Sequence, residues 1–571
     1  MAALSYRPLP RALAVAVGLA FLVLLAAGLS AARPVHAATT ITVDTLSDGH
    51  LDAGATACSS AAAGGKCTLR AALELNDGNG GGSAITLGAG QIDLTLGELV
   101  THTDVTITGT GSSKSLVSND KAHRVFDISS LTAQVAMTGF AIVNGAALGA
   151  PAETQGGGIR NFGSLTLTDM DLQSNSASFG GGIADFGTLV LNRGTVVSAN
   201  TAGVGGGLAE FGKLTSTGDV FSSNRGGAGG NLAVDFARNA QGQIVRNGTA
   251  AVVGATIAGG VAGLGGLGGG AFVNAGGSAT FAGTTFVGNA VVAEGLGGVG
   301  GAIENECGAL TLTNDTLDAN TAEIGFGGAL AQRCDEFSPQ ETVSLSAIVD
   351  LPGQSPGPAH AATTGTPAPL HATATLDFVT MADNAAMVTN PVVFNAPRGG
   401  NSIFNKGESS VITVHDTIVA GMKNGGPNCV VEPSGVESQG YNLENAHSCS
   451  FEETGDQNDV DPHLGALKDN GGPTQTMALT ARTPAVDSAD PKCGVATDQR
   501  GIKRPQGSRC DIGAFELQAA TGTATPLPAP PVTGRSGRQG GLNPSLVALI
   551  LAPAAVPAVG AGLWALRRRT R

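Results

Sequence analysis

The chain has 571 residues and a formal net charge of −14; Gly supplies 87 residues, while aromatics are 4% and charged residues 13%. That length exceeds one ordinary core, so several domains or an elongated repeat is expected. An acidic chain repels nucleic acid and anionic lipid headgroups, which excludes nucleic acid as a partner.

Residues 1–37 read as a secretory signal. Arg7 and Arg11 form the positive region, residues 12–28 the apolar stretch, and Val35-His36-Ala37 a small-residue cleavage site. Residues 38–120 are expected to hold an N-terminal cap and the first turns of a coil. Thr68 can N-cap a short helix whose Leu69 and Leu73 share one face. Such a helix would plug the coil and hide unpaired strand edges.

Residues 121–420 carry an internal repeat. A strand-like segment recurs at 164–172, 188–196, 213–221, 278–286, 309–317, 373–381 and 411–419, with weaker copies at 134–142 and 249–257. Most copies open with period-2 alternation, the mark of a half-buried strand. Early copies start 24 and 25 residues apart. A unit that short buries no core alone, so copies must stack. Three short strands and their turns consume about that length, at roughly five residues per strand. The expected fold is all-β: a right-handed parallel β-helix with a short N-terminal capping helix and a C-terminal transmembrane anchor.

Two motifs punctuate the units. Gly-Gly-Gly-Ile and its variants stand at 156–159, 180–183, 205–208, 300–303 and 327–330. Asn175, Asn224, Asn289, Asn320 and Asn384 each follow the last apolar residue of a strand by three, so they can stack as a ladder. Phe162, Phe186 and Phe211 each lie three residues beyond the apolar residue of a Gly motif and read as a column of stacked rings. Residues from about 335 to 370 are a loop excursion, its 351–370 part rich in Pro, Gly, Ala and Thr.

The eight cysteines fit export and oxidation. Proximity pairs Cys58 with Cys67, Cys429 with Cys449, and Cys493 with Cys510. Cys307 and Cys334 are each four residues beyond the apolar end of a Gly motif. In consecutive rungs they stand about 4.8 Å apart, close enough for a rung-to-rung disulfide. No zinc-type Cys/His spacing occurs.

Residues 518–541 are a Pro/Thr/Ala/Gly-rich linker containing PPVTG at 530–534. Residues 542–571 hold an apolar span at 547–566 and then Arg567, Arg568 and Arg569, as expected of a transmembrane helix with a cytoplasmic basic tail.

Three resemblances follow from motifs. GGAI at 300–303, with FSSN at 221–224 and FVGN at 286–289, resembles the repeats of chlamydial polymorphic membrane proteins, which are β-helical surface adhesins. CTLRAAL at 67–73 is similar to the bacterial CSLREA-type domain. Residues 421–517 resemble the choice-of-anchor family through QGYNL at 439–443, DPHLG at 461–465, DNGGPTQTMAL at 469–479, DQRG at 498–501 and CDIGAFE at 510–516. This implies an exported bacterial surface protein with no assigned chemistry. PPVTG looks like a sortase signal.

Chemistry is sparse in the repeats. Glycoside hydrolysis needs two carboxylates facing one cleft, and β-elimination a base beside a neutralised carboxylate. Arg160, Asp185 and Glu210 occupy similar places after successive Gly motifs and read as solvated turn residues. His415-Asp416 lacks a nameable third partner and reads as a packed or exposed His. Asp456, Asn458, Asp459 and Asp461 form a weak calcium candidate, weighed against a solvated acidic turn. Arg500, Lys503, Arg504 and Arg509 are expected to pair with nearby acids. The resulting expectation is a non-catalytic cell-surface protein, an adhesin or structural component meeting glycans or proteins, without catalytic residues or cofactor. A polysaccharide lyase or glycoside hydrolase on the same fold is the alternative.

Overall fold

The computed structural model describes residues 39–149, 153–239, 243–292, 298–323, 325–334, 347–348, 371–387, 399–421, 426–432 and 435–518. The expected signal peptide, the linker, the C-terminal span and most of the loop excursion lie outside them. Among the described residues no helix is long and apolar enough to cross a membrane.

The strands form three long sheets of 13, 12 and 11 members, here sheets I, II and III. Among the described residues the pairings within them are parallel, and strands pair with their equivalents one turn earlier and later: Ser164–Thr168 of sheet I lies between Gln134–Thr138 and Thr188–Asn192. The chain visits sheet III, then I, then II on each turn, as in 159–161, 164–168 and 171–173. This is a parallel β-helix, its crossovers right-handed as parallel strands require. Strands of sheet I alternate, with Leu165 and Leu167 buried and Ser164, Thr166 and Thr168 facing outward. The inward residues join one continuous core from Ile41 to Phe451.

Local chemistry explains the turns. Gly156, Gly180, Gly205, Gly300 and Gly327 have φ between +62° and +71°, a region costly for any side chain. In each case an added Cβ would collide with the carbonyl three residues on, so the motif tolerates only Gly there.

The Asn ladder is present and longer than its spacing suggests. Amide-to-amide hydrogen bonds run Asn175 to Asn200 at 3.0 Å, Asn200 to Asn224 at 3.0 Å, Asn224 to Asn231 at 2.8 Å and Asn231 to Asn289 at 3.1 Å. They continue from Asn289 to Asn320 and from Asn320 to Asn384, both at 2.9 Å. Gly260 occupies the place of an Asn in its rung. The Asn231 amide fills the room left there, where a Cβ on Gly260 would strike it. The rings of Phe162, Phe186 and Phe211 stack with centroids 5.2 and 4.7 Å apart.

Helix α1, Leu69–Gly78, is capped by the Thr68 hydroxyl, which accepts from the Ala71 N–H at 3.0 Å. Leu69 and Leu73 are buried in the core. Arg70 is buried as well: it pairs with Asp48 at 2.8 Å and donates to the Glu98 and Gly97 carbonyls, tying α1 to the first strand of sheet III. The four disulfides are Cys58–Cys67, Cys307–Cys334, Cys429–Cys449 and Cys493–Cys510. Cys307 and Cys334 have Cα atoms 4.8 Å apart, on adjacent rungs.

Residues 461–517 fold back along the coil instead of extending it. The Thr474 hydroxyl donates to the Gly283 carbonyl, Gln499 donates to Thr285 and accepts from Thr316, and the Ala514 N–H donates to the Thr380 hydroxyl. The segment therefore runs along the turns between sheets I and II. The basic stretch is mostly internal to it: Arg500 pairs with Asp498 at 2.7 Å and Arg504 with Glu516 at 3.0 Å.

Candidate active site

Two carboxylates read as solvated turn residues are in fact buried. Register places Asn161, Asp185 and Glu210 in line on sheet III, with Arg160 one place earlier beside Ala184. Third positions of these strands point inward, which the sequence alignment, off by a residue, obscured. Asn161 donates to Asp185 at 2.5 Å, and Glu210 accepts from the Gly212 N–H. Burial raises both carboxyls above their ordinary range, and the charge of Asp185 raises Glu210 further. Enclosed from solvent, this pair cannot meet a substrate. Arg160 is bound to Asp127 at 2.8 Å.

The calcium candidates do not converge. Asp456 accepts from the Asn442 N–H, the Ser438 hydroxyl and the Glu453 N–H, and so shapes its own turn. Asn458 donates to the Phe451 carbonyl, Asp459 faces His447, and Asp461 accepts from the His463 N–H. Among the described residues only Asp377, His415 and Asp416 bring three acidic or imidazole groups to one point.

That point is built by the fold. Asp377 and His415 are register partners ending two adjacent strands of sheet I, Ala372–Asp377 and Ser410–His415. Both stand at outward positions of the alternation. Asp416 follows in the turn with φ of +47°, and its side chain is fully buried. Asp490 arrives from the folded-back segment, 74 residues away. His415 Nδ1 lies 3.1 Å from Asp377 Oδ1 and 3.4 Å from Asp416 Oδ2, while Nε2 lies 3.6 Å from Asp490 Oδ2. The Asp490 N–H donates to Asp416 Oδ1 at 2.8 Å, which fixes the buried carboxyl. His415, Asp377 and Asp490 each keep about a quarter of their side-chain surface exposed.

Electrostatics couple these groups. Burial works against a charged imidazole, but the hydrogen bond to Asp377 and the charges of Asp416, Asp377 and Asp490 raise the His415 pKa above its ordinary value. Burial pushes Asp416 up to about 6, opposed by His415 and by the Asp490 N–H. The missing third partner of His415-Asp416 is thus two residues, and neither is near in sequence. Only the strand repeat could have pointed to Asp377, through its place one rung earlier. No local signal marked Asp490.

The outward face leading to this cluster is rich in hydroxyls. Thr166, Thr215, Thr280, Thr311, Thr375 and Thr413 stand in register or nearly so along it. Near the other end, Asp104, Thr106, Gln134, Ser164 and Thr166 line a shallow cleft of about 330 Å³.

No family model and no curated protein sequence matches the chain. Solved structures do. Pectate lyase Pel9A is 12% identical over 84% of this chain and 97% of its own, with a TM-score of 0.36. The Azotobacter vinelandii mannuronan C-5 epimerase AlgE4 A-module is 13% identical over 65% and 94%, at 0.31. The catalytic domain of a GH87 α-1,3-glucanase in complex with nigerose is 11% identical over 72% and 70%, at 0.32. At these identities the likeness is one of fold. All three carry the names of polysaccharide-acting enzymes, against the expectation of a non-catalytic surface protein.

Proposed function

We propose that this chain is an exported enzyme that acts on polysaccharides, with its reaction centre at His415, Asp377 and Asp490. The observation that carries the reading is the continuity between the hydroxyl-bearing face of sheet I and this cluster. Thirteen strands spaced ~4.8 Å apart make a ribbon about 58 Å long, long enough for an extended glycan chain. Threonine hydroxyls donate to and accept from sugar hydroxyls. The folded-back segment walls one side of the ribbon and delivers Asp490.

The cluster contains what glycan cleavage requires: partly exposed carboxylates able to give or take a proton, held around an imidazole. Asp416, buried, is a positioning residue that holds His415 and receives the Asp490 N–H. Among the described residues no Lys or Arg is hydrogen-bonded to the cluster, and three carboxylates repel a polyuronate, so a neutral glycan fits best. Export to the bacterial surface is supported by the signal-like residues 1–37, the four disulfides and the choice-of-anchor resemblance of residues 421–517.

The test is a panel of neutral and uronate polysaccharides incubated with the full chain, counting new reducing and unsaturated ends. Reducing ends from a neutral glycan are expected. Ends from uronate polymers alone would overturn the substrate class, and binding without any release would overturn the activity.

A further inference from the structure

We infer that Asp377, His415 and Asp416 form a zinc site. The inference rests on the reading of this cluster as the reaction centre for its place in the mechanism, but its geometry stands apart. Zinc takes His nitrogen and carboxylate oxygen at about 2.0–2.2 Å, usually tetrahedrally, which sets neighbouring ligand atoms about 3.3 Å apart. His415 Nδ1 lies 3.1 Å from Asp377 Oδ1 and 3.4 Å from Asp416 Oδ2. All three ligand atoms fall within 4.8 Å of one another.

Two further observations point to a cation. Asp416 Oδ2 is buried and accepts no hydrogen bond, yet it is aimed at His415 Nδ1. A buried carboxylate oxygen left this way is costly unless something positive completes it. The far nitrogen, Nε2, faces Asp490 Oδ2 at 3.6 Å. Metal-bound imidazoles almost always direct their other N–H to a carboxylate, a backbone carbonyl or water, which fixes the ring and raises its basicity. Asp490 thus orients the ring from outside the ligand set, and its own N–H holds the other oxygen of Asp416.

The ligand set favours zinc over calcium, which prefers six to eight oxygens. Three protein ligands leave a fourth position open. The partial exposure of His415 and Asp377 admits water to it.

The test is equilibrium dialysis of the chelator-stripped full chain against Zn²⁺, with Co²⁺ absorption as a report of coordination geometry. The wild-type chain is expected to bind one Zn²⁺ with a tetrahedral Co²⁺ spectrum. His415→Ala should weaken binding more than 100-fold. Asp490→Asn, which changes a partly exposed residue outside the ligand set, should weaken it about 10–100-fold. His102→Ala, an exposed His beside Asp77, should leave it unchanged. Absence of Zn²⁺ binding by the folded wild-type chain would overturn the inference, as would binding indifferent to His415→Ala. Sugar release by a chain that binds no Zn²⁺ would overturn the zinc site and leave the glycan activity standing. Zn²⁺ binding without sugar release would do the reverse.

Discussion

Asn289→Ala cuts the buried amide ladder at its middle. The Asn289 side chain accepts from the Gly260 N–H at 2.9 Å and from the Asn231 amide at 3.1 Å. It donates to the Ile257 carbonyl and to Asn320, both at 2.9 Å. The residue is fully buried, so water cannot replace what is lost. An orphaned buried N–H costs ~1–3 kcal/mol, and each of the three further lost bonds about 1 kcal/mol, for a total of about 4–6 kcal/mol. In a stacked repeat that loss stays near the affected rungs. Urea unfolding and amide hydrogen exchange of the full chain measure it. Exchange at the Gly260 and Asn289 N–H groups should accelerate at least about a thousandfold, at ~1.4 kcal/mol per tenfold. Asn192→Ala, which removes one partly exposed bond to the Thr168 hydroxyl, is the comparison. If Asn289→Ala costs no more than that control, the ladder does not support the coil.

Three other outcomes follow from buried groups. Asp235 is fully buried, and burial raises its pKa to about 7. A carboxyl raised this way contributes stability below its unfolded value near ~4 that is lost as pH rises through 7, of order 4 kcal/mol. Asp235→Asn should flatten that part of the decline in urea midpoint between about pH 4 and 7; parallel curves would count against it. Phe186→Ala opens the ring column between Phe162 and Phe211 and should cost about 3–5 kcal/mol by urea unfolding, with a cost below 1 kcal/mol excluding a packed column. Replacing Cys307 and Cys334 together by Ser frees a loop with a sequence separation of 27 residues and should cost about 3–4 kcal/mol in non-reducing buffer. An unchanged thermal midpoint would refute the staple.

The coil was legible because its determinants repeat. Strand alternation, the Gly motif and the Phe column depend on residues recurring at one rung length, so a single chain carries several readings of the same rule. Asn231 escaped because it serves a neighbouring rung's vacancy at Gly260, which is a matter of space rather than spacing. Asp185 and Glu210 were misread because a one-residue slip in register turns an inward side chain outward. The candidate site was least legible. Asp377 and His415 are 38 residues apart and meet only through the register of adjacent strands, and Asp490 arrives with a segment whose return path along the turns has no periodic signature. Convergence of that kind is set by tertiary packing.

The most direct test compares the full wild-type chain with His415→Ala and Asp490→Asn on a neutral polysaccharide, counting new chain ends while circular dichroism monitors the β-sheet. Wild-type release that falls at least a hundredfold in both variants, with the fold and glycan binding intact, is the predicted result. Release at the wild-type rate by a folded His415→Ala chain would place the chemistry elsewhere and contradict the account.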